Sequence, residues 1–193
     1  MARSPALPTL SPLPAPRRQD EAPAVGPVGK HQMAKISFSV DSNLAAETVL
    51  AVARDFSELR PHYWPNIDPK VYKVHSLTAT SADVTEGSAA MGGIWGLEAY
   101  DLSQPGTVQA TLQDSNIFQP GGVWRLCATP RADGGCHIEV LNHRQARGFK
   151  GHVLGAMLTV MGRRAFAQSL QKTLDIIASE ARAGTATAAA AAV

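Results

Sequence analysis

Nowhere in this 193-residue chain is there an apolar run of the roughly eighteen residues that a membrane-spanning helix needs, which argues against stable membrane insertion. An apolar secretion core is missing as well, because Pro8, Pro12, Pro14 and Pro16 interrupt the N-terminal region. A cytoplasmic location is therefore expected by default. Metal and nucleotide signatures are absent: no CxxC, HExxH, GxGxxG or GxxxxGK[ST] occurs. His137 and His143 lack a third ligand at matching spacing, so no metal and no cofactor are expected. The serines and cysteines sit in no recognisable nucleophile elbow. Excess charge is also lacking. The net charge is +2, and Arg3, Arg17, Arg18 and Lys30 against Asp20 and Glu21 account for it. The remaining chain is near neutral, which argues against a nucleic-acid surface. Cysteine is scarce: Cys127 and Cys136 flank the turn Thr129–Gly135. On adjacent strands a disulfide between them is conceivable; reduced, partly buried thiols are the better reading.

Residues 1–32 are rich in Pro, Ala and Arg with few large apolar residues, and they are expected to be disordered. Met33-Ala34-Lys35 directly precedes the first patterned segment, so translation is expected to start at Met33; a native intact mass that includes earlier residues would remove that idea. A single domain is expected over 33–183, about 150 residues and enough for one sizeable core. An alanine-rich tail, 184–193, follows.

Within the domain, Ile36, Phe38 and Val40 alternate with Ser37 and Ser39 as in a half-buried strand. Asp41, Ser42 and Asn43 offer capping oxygens for a helix over Leu44–Arg54, with Glu47 in its first turn. Asp55 or Ser57 can cap a second short helix that runs toward Tyr63, and Trp64-Pro65 closes it. The pattern then changes. Short strands are predicted over Val71–Leu77, Ala82–Glu86, Ile94–Asp101, Thr107–Leu112, Val123–Ala128 and His137–His143, separated by Gly-, Pro- and Asp-containing turns. With the first strand they make an antiparallel meander of six or seven members. No internal repeat is present.

The segment Gly151–Ala183 has no proline and is filled with good helix formers. Leu154, Leu158, Met161 and Ala165 share one face; Phe166, Leu170, Leu174 and Ile177 share another. A helix with two apolar faces is largely covered by other structure. Gly184 is placed to stop it. The expected fold is α+β: a curved antiparallel sheet, two short helices, and one long C-terminal helix lying across the sheet.

That order resembles the helix-grip fold of the START/SRPBCC superfamily, which includes plant pathogenesis-related allergens, lipid-transfer START domains and aromatic polyketide cyclases/dehydrases. The resemblance covers about Ile36–Ala181. It is carried by Val40-Asp41, by Val49 through Asp55-Phe56 to Tyr63-Trp64-Pro65, and by Gly155 through Leu174. The nearest subgroup is the bacterial cyclase/dehydrase and lipid-transport proteins. The likeness implies an apolar ligand held between sheet and long helix. No catalytic motif matches residue by residue, so none is carried over.

Mixed faces on the later strands fit a cavity holding a few polar groups, and equally a sheet with one wet face. Trp95 and Trp124 suit stacking on a flat ligand, or a place in core or rim. Tyr63-Trp64 suit a cavity mouth or packing beneath the first helices. Arg125 and His143 can orient a carbonyl or carboxylate, or sit on a surface hairpin. Leu158 and Met161 would face a ligand from the helix. Glu98 and Tyr100 share a strand face, where a desolvated carboxylate and a phenol could act as base and acid in an enolisation or aldol closure. Arg144, Arg147, Lys150, His152, Arg163 and Arg164 gather positive charge around the start of the long helix, as a solvated face or as an attractor of anionic groups. Three functions follow: a carrier or sensor of a hydrophobic small molecule, a cyclase/dehydrase-type enzyme, or a partner-binding module with a vestigial cavity. Oligomeric state is not legible.

Overall fold

The computed structural model describes residues 33–89 and 93–191; the proline-rich leader lies outside the described residues. The order is β1 (Met33–Ser42), α1 (Ala46–Ala53), α2 (Arg60–Tyr63), β2 (Lys73–Leu77), β3 (Ser81–Ser88), β4 (Ile94–Asp101), β5 (Thr107–Ser115), β6 (Val123–Pro130), β7 (Cys136–Gln145) and α3 (Gly148–Ala191). The strands form one seven-stranded antiparallel sheet in the order β1-β7-β6-β5-β4-β3-β2. β2 to β7 are a simple meander, as short turns between patterned segments require. β1 instead pairs with β7, in register from Met33 opposite Gln145 to Ser42 opposite Cys136.

Strand alternation decides what is inside. Ile36 and Phe38 of β1, Val108, Ala110 and Leu112 of β5, Leu126 and Ala128 of β6, and Ile138 and Val140 of β7 are buried. α1 lays Val49, Leu50 and Ala53 on this face against β5 and β6. α3 packs on β1, α1 and α2 and buries Leu170, Leu174 and Ile177, the second of its expected apolar stripes. The first stripe, with Leu158 and Met161, lies outside the residues whose side chains are described, except for exposed Ala165. No helix among the described residues is long and apolar enough to cross a membrane.

Two local expectations need correction, and the expected reduced thiols are present. α3 starts at Gly148 and runs through Gly184 to Ala191. One glycine costs a helix about 1 kcal/mol, and the alanines after it are the best helix formers available. At α1 no side chain caps the helix; Ser42 Oγ accepts from the Leu44 N–H, 3.1 Å away, in the turn before it. The cysteines do not face each other: Cys127 stands opposite Glu139 and Cys136 opposite Pro130, and both thiols are free. They occupy opposite faces of the sheet, since Cys136 alternates with buried Ile138 and Cys127 with buried Leu126 and Ala128.

Candidate functional site

A cavity of about 530 Å³ opens between the concave face of the sheet and α3. Phe38, Leu112, Val140, Phe166 and Leu170 give it apolar walls, and Trp64 and Trp124 meet edge to face within it, ring centres 6.0 Å apart. Among the described residues, four charged side chains reach into this lining.

The first pair is anchored at Arg60, whose side chain is only 2 % exposed. Its guanidinium carbon lies 4.3 Å from the ring centre of Phe56, 5.1 Å from that of Tyr100 and 5.8 Å from that of Trp64. Arg60 Nε donates to Glu86 Oε1 at 2.5 Å, Nη1 to the carbonyls of Ala53 and Asp55, and Nη2 to the Tyr100 hydroxyl at 3.0 Å. That hydroxyl donates onward to Glu86 Oε2, also at 3.0 Å. Burial by itself would lower the pKa of the guanidinium; the charge of Glu86 and the hydrogen bonds with Glu86 and Tyr100 outweigh it and leave Arg60 raised. Burial, with Glu86 adding to it, pushes the Tyr100 phenol well above its ordinary range, so it stays protonated.

The second pair is Glu98 and Arg144. Arg144 grips the carboxylate with two nitrogens, Nη2 to Oε1 at 2.8 Å and Nη1 to Oε2 at 3.3 Å, while its Nε donates to Asn142 Oδ1 at 3.2 Å. Glu98 is 8 % exposed, and burial raises its pKa against the opposing pull of Arg144. Gly96, one step along the same face, keeps this corner open: a Cβ there would stand 2.9 Å from Leu112 Cδ1 and 3.2 Å from Glu98 Oε1.

Of the residues expected from sequence, Trp64, Trp124, Glu98 and Tyr100 come together around the cavity. Trp95 also borders it but is 36 % exposed, as its place on the alternate face of β4 requires. Glu98 and Tyr100 are each engaged by a different arginine. Arg125 is exposed, because Leu126 and Ala128 take the inward positions of β6. His143 is half-buried and faces away, because Val140 and Asn142 point inward from β7. Tyr63 turns to α3 instead, where its hydroxyl donates to Glu180 Oε2 at 2.6 Å. The side chains of Leu158 and Met161 lie outside the described residues. Sequence reasoning misses Arg60, Glu86 and Asn142 in the site and reads Arg144 as surface charge. Strand alternation carried one step further points to two of them and to Arg144: 82-84-86 on β3 leads to Glu86, and 138-140-142-144 on β7 to Asn142 and Arg144. Among the described residues no cluster of three or more His, Cys, Asp or Glu could hold a metal ion.

A family model for polyketide cyclase / dehydrase and lipid transport matches residues 33–182. The chain belongs to this family. Its fold is shared by solved structures at low identity. An aromatase/cyclase, Zhui from Streptomyces sp. R1128, is 13 % identical with a TM-score of 0.67, over 79 % of this chain and 98 % of that one. A START superfamily protein from Mycobacterium smegmatis is 16 % identical with a TM-score of 0.59, over 74 % and 98 %. A Thermus thermophilus protein is 13 % identical with a TM-score of 0.63, over 76 % and 98 %. These likenesses show the helix-grip fold. No curated protein sequence matches the chain.

Proposed function

We propose that this member of the family binds a hydrophobic small molecule, such as a lipid or polyketide-like metabolite, in the cavity beneath α3. The observation that carries the reading is the cavity itself: about 530 Å³, walled by apolar side chains and two facing tryptophans, within the ordinary range of small-molecule sites. Removing a few hundred Å² of ligand surface from water at about 25 cal/mol per Å² supplies several kcal/mol before ordering costs.

The cyclase/dehydrase alternative needs an acid and a base near one carbonyl. Glu98 meets one requirement, since burial raises its carboxyl toward useful basicity. Both of its oxygens are held by Arg144, however, and the Tyr100 proton is committed to Glu86. Binding is therefore preferred over catalysis. Native mass spectrometry of protein purified from its own cells tests the reading. A co-purified apolar molecule is the expected result; persistently empty protein that also takes up no apolar probe favours a partner-binding module. Turnover of that molecule by the wild type, lost in Glu98→Gln and in Tyr100→Phe, would restore the enzymatic alternative.

A further inference from the structure

Among the described residues, the charges that line the cavity cancel: two cations, Arg60 and Arg144, and two anions, Glu86 and Glu98. Each cation is already bonded to an anion. The stretch of α3 between residues 153 and 162 contributes no ionisable group by its sequence. Resting on the binding reading above, we propose that the cavity selects a neutral ligand, an apolar body bearing a hydroxyl or carbonyl, and discriminates against free carboxylates of the same size.

Bringing a carboxylate out of water costs several kcal/mol unless a cation receives it. Here the receiving cation would have to release its partner. Freeing Arg144 strands Glu98 in the same dry corner; freeing Arg60 strands Glu86 and breaks the link to Tyr100. The ion pairs therefore exchange one poorly solvated, unpaired charge for another and provide no net gain to an anion. An ammonium ligand meets the same obstacle with the sign reversed. A hydroxyl or carbonyl gives up only its hydrogen bonds to water, and neutral amides stand nearby to replace them: Asn142, beside the Glu98–Arg144 pair, and Asn66 border the cavity. Glu98 is the controlling residue, because its carboxylate occupies both Nη atoms of Arg144.

The test is equilibrium dialysis of the full chain at pH 8 against 1-decanol and decanoate, which share a chain length and differ in charge. The wild type is expected to bind decanol about tenfold or more tightly than decanoate. In Glu98→Gln the guanidinium of Arg144 loses its anion, and the ratio is expected to move toward decanoate by a similar factor. Equal or tighter decanoate binding by the wild type overturns the proposal while leaving the cavity as a ligand site. Binding of neither probe removes the binding reading, and this inference with it. An unchanged ratio in a folded Glu98→Gln protein overturns the role given to Glu98. Should that variant not fold, the wild-type comparison alone decides.

Discussion

Arg60 ties together more of the molecule than any other described side chain. It bonds the end of α1, the turn after it, β3 and β4 through Ala53, Asp55, Glu86 and Tyr100. Arg60→Met keeps the bulk and removes the charge, leaving the half-buried Glu86 without a cation. The expected loss is about 3–5 kcal/mol, read from urea unfolding. Two carboxyl groups should respond to pH with opposite signs. Burial raises Glu98 above the ordinary 4.5, so the folded chain holds that proton more tightly than the unfolded chain. The resulting stability is complete below the ordinary carboxyl range and is lost as pH rises through the raised value. Hydrogen bonds from Tyr63 and His62 lower Glu180, whose contribution is present above the ordinary range and is lost as pH falls through the lowered value. Relative to wild type, Glu98→Gln should therefore gain stability as pH rises through the first interval, and Glu180→Gln as pH falls through the second. Urea midpoints measured across pH check both. At this scale the sequence is least legible. Arg125, His143 and Arg144 are all basic residues in or beside strand-patterned segments, and the inward or outward parity of β6 and β7 decides which reaches the cavity.

Elements are more legible than residues because period-2 alternation and turn residues act locally. All seven strands fall near their expected places. The ends that differ are those of helices. Propensity beyond Gly184 outweighs one stop signal, and the entry to α3 depends on a contact with a distant loop. The backbone of α3 approaches that loop so closely that a Cβ on Gly151 would stand 2.2 Å from Ile117 O. Gly151→Ala must push the start of α3 off the segment after β5. A loss of about 1–3 kcal/mol is expected, with a lower Tm in a thermal melt. The register of β6 and β7 makes a simpler prediction. Cys127 and Cys136 should not crosslink within the folded chain under mild oxidation, and mobility on non-reducing gels should match that of the reduced protein.

For the whole molecule, the architecture is readable because one long helix after a meander leaves few ways to cover both. The size and lining of the space beneath it are not readable, since they depend on how far α3 stands from the middle strands. Trp64 and Trp124 serve as reporters of that space, whereas Trp95 is partly in water. Uptake of a neutral apolar probe should shift tryptophan emission in wild type and in Trp95→Phe alike; a shift confined to proteins that retain Trp95 would place the probe at the exposed rim of the cavity and not between Trp64 and Trp124. The pairing of β1 with β7 has a temporal consequence. The first strand meets its neighbour only after roughly a hundred further residues have been made. During synthesis on the ribosome it waits, edge unprotected, with Ile36 and Phe38 in reach of other nascent chains. Yield in cells should thus depend on chaperone supply more steeply than the equilibrium stability of the finished protein would suggest.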